Sequence, residues 1–219
     1  MAGPGFKKQL YAQFARLGKA LSSGHRLELL EYLAQSERTV ETLSKLTGLS
    51  VANTSQHLQL LRQTGLVSTR REGLYVHYRL ADPQIVELMS VMLQLGEKQL
   101  AEVERLVASY LTKKDQLEPI PRVELLQRVR DGMVTILDVR PNEEYAAGHV
   151  PGALNVPLKE LEQQLEKLPR NQEVVAYCRG PYCILAFEAV ARLREKGFEA
   201  RRLEDGFPEW QHAGLPVEK

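Results

Sequence analysis

The chain's only two cysteines, Cys178 and Cys183, lie five positions apart in a chain of 219 residues. An apolar run precedes Cys178 and a helical pattern follows Cys183, which predicts a strand, a compact loop and a helix. A Gly/Pro loop of this kind turns backbone N–H groups inward at a helix N-terminus, and both features stabilise a thiolate. Any thiol chemistry of this protein is therefore predicted at this loop.

Cys183 admits two interpretations. It is either a small buried residue at the start of the helix or a resolving thiol for Cys178. A curled loop would bring the two Cα atoms within about 4.4–6.8 Å, which allows a disulfide. A disulfide or polysulfide bridge would reshape the loop, and such a change could act as an allosteric trigger.

The composition is that of an ordinary soluble globular protein, with 43% hydrophobic and 26% charged residues. The N-terminus has no apolar signal core, and no segment approaches the ~20 apolar residues of a membrane span. Two close cysteines without a disulfide framework favour a reducing compartment. We expect a cytoplasmic protein with no membrane partner.

The charge is uneven along the chain. Residues 1–111 carry 13 basic and 10 acidic residues, whereas the remainder carries 16 basic and 18 acidic residues. The segment 42–81 contains five basic residues and one acidic residue, Glu72. This local excess suits a surface that meets phosphates.

The N-terminal half has the order of a winged helix-turn-helix. Apolar spacing predicts helices over about 6–21 and 25–35, a third helix capped by Thr39, and a fourth over 51–64 capped by Ser50. A β-hairpin over 66–80 and a long helix over 83–111 follow. In this arrangement the fourth helix enters the major groove and the hairpin contacts the DNA backbone.

The fourth helix is predicted to turn Ala52, Ser55, Leu58 and Leu61 inward and its polar side chains, including Thr54 and Gln59, outward. The hairpin carries two arginines beside its turn. The candidate DNA-binding residues are Asn53, Thr54, Ser55, Gln56, His57, Arg62, Arg70 and Arg71. Some of them lie in segments that resemble a known family. The alternative is a module that serves only for protein binding or dimerisation.

Three segments, 55–58, 60–67 and 70–80, resemble the ArsR/SmtB winged-helix repressors. The resemblance covers about 6–105 and implies a homodimer held by helices 6–21 and 83–111 on a palindromic operator of double-stranded DNA. The third helix lacks the cysteine pair of the metal-sensing members, and helix 83–111 has no histidine. We therefore expect no metal site, and we expect no cofactor.

A polar stretch ending in Pro119 predicts a linker at 112–118 between an N-terminal domain, 1–111, and a C-terminal domain, 119–219. In the second domain, short strands over 134–139, 174–178 and 200–203 alternate with helices near 121–131, 158–168 and 184–196. This order predicts an α/β layer with a mainly parallel sheet. The expected fold is thus a mainly α winged helix-turn-helix followed by an α/β domain.

The segments 138–157, 206–210 and 213–216, with Cys178 after a strand, resemble the rhodanese-like domains over about 119–217. The resemblance implies that Cys178 is a nucleophile that takes up sulfane sulfur as a persulfide. The residues expected around it are a loop cradle of Gly180, Pro181 and Tyr182, an Arg179 charge for an anionic donor, an orienting Asp138 and a supporting Arg140–Glu144 ion pair. Pro181 supplies no N–H to the cradle, and Asp205-Gly206 stands where the family has Gly-Gly.

The leading hypothesis is a transcriptional regulator, and most simply a repressor, that senses reactive sulfur species or oxidant through Cys178 and Cys183. Its small-molecule partner is a sulfane-sulfur donor or a small thiol, and by analogy modification releases DNA. The alternative is an active thiosulfate-type sulfurtransferase that its DNA-binding domain localises or autoregulates. An arsenate or phosphate-ester enzyme is disfavoured, because the six-residue loop matches family members that act on sulfur.

Overall fold

The computed structural model describes residues 4–112 and 119–219. These residues form two compact units that divide between Ile85 and Val86. The division falls inside a helix and not at 112–118, and all of the predicted linker except Thr112 lies outside the described residues. The domain boundary at 112–118 stays a prediction.

The N-terminal unit has the predicted order of elements. Its helices are α1 (Pro4–Leu21), α2 (Gly24–Gln35), α3 (Val40–Thr47) and α4 (Val51–Gln63), and its strands are β1 (Arg38–Thr39), β2 (Val67–Glu72) and β3 (Tyr75–Leu80). The strands form one antiparallel sheet in the order β1-β3-β2. The winged helix-turn-helix is therefore confirmed.

The predicted caps set the bounds of the helix pair. The Thr39 hydroxyl accepts a hydrogen bond from the Thr42 N–H, and the Ser50 hydroxyl accepts one from the Asn53 N–H. Gly48, at φ +70°, ends α3 in the left-handed conformation that glycine adopts without strain. Leucines from all three helices that follow α1 bury their side chains completely: Leu29, Leu30, Leu43, Leu58 and Leu61.

The long helix predicted over 83–111 is interrupted. It consists of α5 (Gln84–Gln99), α6 (Ala101–Val107) and a π-helical turn over Ala108–Thr112, and Leu100 between α5 and α6 has an extended backbone. The segment 96–99 begins with glycine, a poor helix former, and contains no apolar residue that could compensate by packing. The prediction of one continuous helix is wrong for this reason.

The C-terminal unit is an α/β domain. Its helices are α7 (Arg122–Arg130), α8 (Asn142–Ala147), α9 (Leu161–Gln164), α10 (Ile184–Glu195) and α11 (Phe207–His212), and its strands are β4 (Val134–Asp138), β5 (Leu154–Asn155), β6 (Glu173–Tyr177) and β7 (Ala200–Arg202). The strands form a parallel sheet in the order β5-β4-β6-β7, which confirms the predicted architecture. The helix expected near 158–168 is α9 flanked by two 3₁₀ turns.

Strand β6 shows why the sheet positions the cysteine loop. Val174, Ala176 and Cys178 belong to the core on one face of the sheet, with α10, whereas Val175 and Tyr177 belong to the core on the other face, with Trp210. A strand segment covered on both faces is apolar on both, which accounts for the continuous apolar run over 174–177 before Cys178. No helix of the described residues is both long and apolar enough to cross a membrane.

Candidate thiol site and DNA-binding surface

Cys178 directly follows the carboxyl end of β6 and is 1% exposed. The loop from Cys178 to Cys183 is closed by a hydrogen bond from the Cys183 N–H to the Gly180 carbonyl, and α10 begins at Ile184. The chain therefore turns back within six residues and delivers both cysteines to the N-terminal end of one helix. The positive end of that helix dipole favours a thiolate here.

Cys178 and Cys183 are joined in a disulfide, with their Cα atoms 6.1 Å apart. This separation lies inside the interval predicted from loop curvature. Cys183 is itself 9% exposed. In this form the loop presents no free thiol, and both sulfur-bearing residues are buried.

Asp138, at the carboxyl end of β4, is held in a fully buried network. Its carboxylate accepts hydrogen bonds from the backbone N–H and guanidinium of Arg140 (Nη2 at 2.6 Å) and from the Tyr177 hydroxyl. Burial would lower the pKa of Arg140, but the bonds and charge of Asp138 raise it overall. Burial and the Asp138 charge also raise the pKa of Tyr177, so its phenol remains a donor.

Glu144 pairs with the arginine of the cysteine loop. Its carboxylate accepts bonds from Nε and Nη2 of Arg179 at 2.8–3.1 Å, and it is 1% exposed on its side chain. The expected Arg140–Glu144 ion pair stays a prediction; Arg140 bonds to Asp138, and the charge of Glu144 helps to raise the pKa of Arg140. Pairing follows the tertiary positions, since Arg179 and Glu144 are 35 residues apart.

Gly206, the second residue of the Asp205-Gly206 pair, lies against the cysteine loop. A Cβ atom on Gly206 would overlap with the backbone of Arg179 and Gly180. The adjacent Phe207 N–H donates to the Cys178 carbonyl at 3.0 Å. The segment before α11 therefore lies against the cysteine loop and supports it. The preserved second glycine of the motif was the available sequence signal.

The predicted DNA-binding residues of α4 differ in their exposure to solvent. Asn53, Gln56 and Arg62 are exposed, and Ser55 and His57 are partly exposed. Thr54 is fully buried, and its hydroxyl donates to the Ser50 carbonyl at 3.0 Å. The assignment of Thr54 to the DNA-binding face is wrong, because this bond satisfies its only polar group within the helix. Ala52, expected inward, is exposed.

The two arginines beside the hairpin turn differ in their partners. The Arg70 guanidinium forms a two-pronged ion pair with Glu37 and a second contact with Glu72 at 2.8 Å, and its hydrogen bond lowers the pKa of Glu37. Arg71 is exposed. Arg70 thus fastens the hairpin to the segment that follows α2, and its charge is already shared with two carboxylates.

His57 lies on α4 beside His25, with ring centroids 5.8 Å apart. Burial, followed by the charges of Arg26 and His25, lowers the pKa of His57 below 6.5. Its ring is therefore neutral near pH 7. Across the described residues, no cluster of three or more histidine, cysteine or acidic side chains could hold a metal ion.

Two protein-family models match the chain. Residues 23–69 match the arsR family of bacterial regulatory proteins, and residues 122–213 match the rhodanese-like domain. The two matches coincide with the helix-turn-helix and with the parallel sheet that carries the cysteine loop.

Three known proteins illustrate the similarity. An HTH-type transcriptional regulator of Mycobacterium tuberculosis, Rv0324, is 44% identical over the whole chain and 96% of its own length. A sulfurtransferase of Allochromatium vinosum is 32% identical over 42% of the chain and 87% of its own length. The structure of a homodimeric winged helix-turn-helix domain from Mycobacterium bovis is 40% identical over 46% of the chain and 94% of its own, with a TM-score of 0.43.

Proposed function

Since this chain belongs to the ArsR family of transcriptional regulators and carries a C-terminal rhodanese-like domain, we propose that it senses reactive sulfur through Cys178 and Cys183. The observation that carries the proposal is the pair of thiols itself. The only two cysteines of the chain share one loop, at a separation that a disulfide spans. No other group in the sequence offers reversible thiol chemistry to a regulator.

The proposed chemistry has two steps. The Cys178 thiolate attacks a sulfane sulfur of a polysulfide or thiosulfonate, the S–S bond of the donor breaks, and the leaving anion departs with the bonding electron pair. Cys178 is then a persulfide. The Cys183 thiolate attacks the inner sulfur and expels hydrosulfide, which yields the Cys178–Cys183 disulfide. The sulfane sulfur is the oxidant of both steps, and no further oxidant is required.

The site supports this sequence by its burial and charge. Cys178 needs no histidine base, because its loop lies at the N-terminal end of α10, where the helix dipole favours a thiolate. The buried Asp138–Arg140–Tyr177 and Glu144–Arg179 contacts hold the loop's flanks. After the disulfide forms, Cys178 is 1% exposed, which protects it from further reaction with the donor.

The DNA partner and the homodimer rest on the N-terminal unit. Exposed polar residues on α4 and exposed Arg71 suit base edges and phosphates. Helix α1 leaves three aromatic side chains more than half exposed, namely Phe6, Tyr11 and Phe14. A contiguous apolar face of this kind favours burial against a second copy of the chain. We propose a homodimeric repressor on a palindromic operator.

The test measures operator affinity in defined thiol states. A duplex selected in vitro against the reduced protein is titrated, at fixed salt, with the reduced and the polysulfide-treated protein, and Cys178→Ser and Cys183→Ser are run in parallel. We expect treatment to weaken binding at least about fivefold, within the usual range of allosteric coupling. The effect should disappear in Cys178→Ser. Equal affinity in both states of the wild type would refute the sensor.

The second candidate is a sulfurtransferase. The similarity to the sulfurtransferase of Allochromatium vinosum, which covers 42% of the chain, favours it. In the disulfide form the Arg179 charge is shared with Glu144, so it offers less attraction to an anionic donor. This candidate predicts multiple turnovers with thiosulfate and cyanide that require Cys178 but not Cys183. Turnover combined with an unchanged operator affinity would replace the sensor by this enzyme.

A further inference from the structure

Tyr182, the residue between Pro181 and Cys183, makes a contact outside the cysteine loop. Its hydroxyl donates a hydrogen bond to Oε2 of Glu97 on α5 at 2.7 Å. The two residues are 85 positions apart and belong to the same compact unit. A phenol that donates to a carboxylate makes a charge-assisted bond, which is stronger than a bond between neutral groups.

The position of Tyr182 ties it to the state of the two thiols. Tyr182 directly precedes Cys183 in the chain. It follows Pro181, whose ring fixes its own backbone angle φ. Forming or breaking a bond between Cys178 and Cys183 changes the path of the four residues between them. A change in the bonding of the two sulfur atoms is therefore expected to shift the partly exposed side chain of Tyr182.

The neighbourhood of the contact leaves room for movement. A cavity of about 290 Å³ lies between the loop and α5, lined by Pro181 and Tyr182 on one side and by Leu93, Gln94 and Glu97 on the other. Tyr182 is partly exposed and Glu97 is exposed. Burial and the hydrogen bond to Glu97 raise the pKa of Tyr182, which keeps the phenol protonated as a donor.

Helix α5 is the element that the contact would move. It begins at Gln84, two residues before the C-terminal unit, so its backbone is continuous with the N-terminal unit that contains α4. Glu97 lies in its last turn, just before the interruption at Leu100. A change in the Tyr182 contact therefore acts on the last turn of α5.

We propose that the Tyr182–Glu97 hydrogen bond transmits the thiol state of the cysteine loop to α5 and hence to operator binding. This inference rests on the sensor function proposed above. The Tyr182 hydroxyl and the Glu97 carboxylate act as positioning groups, whereas the predicted cradle uses the backbone of Tyr182, which Tyr182→Phe retains. In the disulfide form the bond is made, and opening the loop releases it.

The test compares Tyr182→Phe and Glu97→Gln with the wild type, using the full chain and the operator duplex selected above. The quantity is the ratio of operator Kd between the polysulfide-treated and reduced forms. We expect each variant to reduce this ratio to about one fifth or less of the wild-type value, while affinity in the reduced form stays the same. The double variant should be no worse than either single one, because both remove one bond.

Two controls separate coupling from chemistry. Thiol titration after treatment should show the same loss of two thiols in Tyr182→Phe as in the wild type. Tyr110→Phe and Glu104→Gln, at exposed positions beyond Leu100, should keep the wild-type ratio.

The outcomes distinguish the two proposals. A wild-type ratio of one refutes the sensor function, and with it this inference. A wild-type ratio well above one that persists in both Tyr182→Phe and Glu97→Gln refutes the inference alone. Loss of disulfide formation in Tyr182→Phe would also overturn it, because Tyr182 would then belong to the loop chemistry.

Discussion

The cysteine loop and the DNA-binding surface organise their charges in opposite ways. Around the loop, Asp138 and Arg140 are fully buried, Glu144 is nearly so, and each is bonded to a partner of opposite charge or to a phenol. On α4 the polar residues are exposed or partly exposed except Thr54, whose hydroxyl donates to the Ser50 carbonyl one turn earlier. One region is a closed electrostatic network, and the other is an open polar face.

The difference follows from what each region has to do. A buried ion pair tolerates little displacement, because separating the charges in a low dielectric is costly, so such a network holds the cysteine loop in one geometry. A surface that meets DNA gains from exposed side chains that can adapt to base edges and phosphates. The hairpin shares both features, since Arg70 is fastened to Glu37 while Arg71 is exposed.

The largest effect is expected from breaking the closed network. Asp138→Ala leaves the Arg140 guanidinium buried without its carboxylate, which should cost about 3–5 kcal/mol of the free energy of unfolding. Trp210 is the only tryptophan and is buried in this unit, so its fluorescence during urea unfolding reports the loss. Asp131→Ala, at an exposed position, should change stability by no more than about 0.5 kcal/mol. A similar loss in both variants would contradict the closed-network description.

A smaller effect is expected from crowding the loop without removing a charge. Gly206→Ala places a methyl group against the backbone of Arg179 and Gly180, and such overpacking should cost about 1–3 kcal/mol. The displaced loop should also react more slowly with polysulfide, as followed by thiol titration. Gly24→Ala, with open space around the added atom, is the matched control and should leave both quantities unchanged.

The hairpin arginines test the comparison within one element. Arg71→Ala should reduce the slope of log affinity against log salt concentration by about 1, as expected for loss of one phosphate contact. Arg70→Ala should change that slope less, because Glu37 and Glu72 already neutralise its charge. A larger slope change for Arg70→Ala would show that Arg70 leaves its carboxylates to bind phosphate.

The smallest effect concerns His57. Because burial lowers its pKa below 6.5, the unfolded chain takes up a proton at this position before the folded chain does. The stability contributed by neutral His57 is complete above pH 6.5 and is lost as pH falls towards the folded pKa. An NMR titration of the ring should give a midpoint below 6.5. A midpoint at or above 6.5 would contradict the burial of this side chain.

Local sequence signals predicted most elements, and the failures have physical causes. Thr39 and Ser50 cap the helices that they were expected to cap, and the Cys178–Cys183 separation falls in the predicted interval. Apolar periodicity did not predict which face of α4 is buried. The Thr54 hydroxyl donates a hydrogen bond to the Ser50 carbonyl, so this side chain can be buried like an apolar one. Periodicity also could not show the interruption at Leu100, where propensity is weak and packing absent.

The hydrogen-bond and ion-pair partners of the charged site residues could not be predicted from the sequence either. The sequence predicts Asp138 and Glu144 as site residues, but no motif indicates Tyr177, and the predicted role of Arg179 is to attract a donor and not to pair with Glu144. Gly206 was noted for its motif alone, although its close approach to the loop depends on where the segment before α11 lies. Each omission involves residues distant in sequence whose separation only the folded chain sets.

The amino-acid sequence was sufficient to predict the two folds, the single loop that holds both cysteines, and the polar and basic character of the N-terminal half. These features follow from periodicity, capping residues, motif spacing and charge, all of which act within a few residues. The ion-pair partners of Arg140 and Arg179, the buried face of α4 and the contact between Glu97 and Tyr182 became evident only in the folded chain. Electrostatic and packing energies depend on distance in space, and the sheet and its crossover helices bring distant residues together.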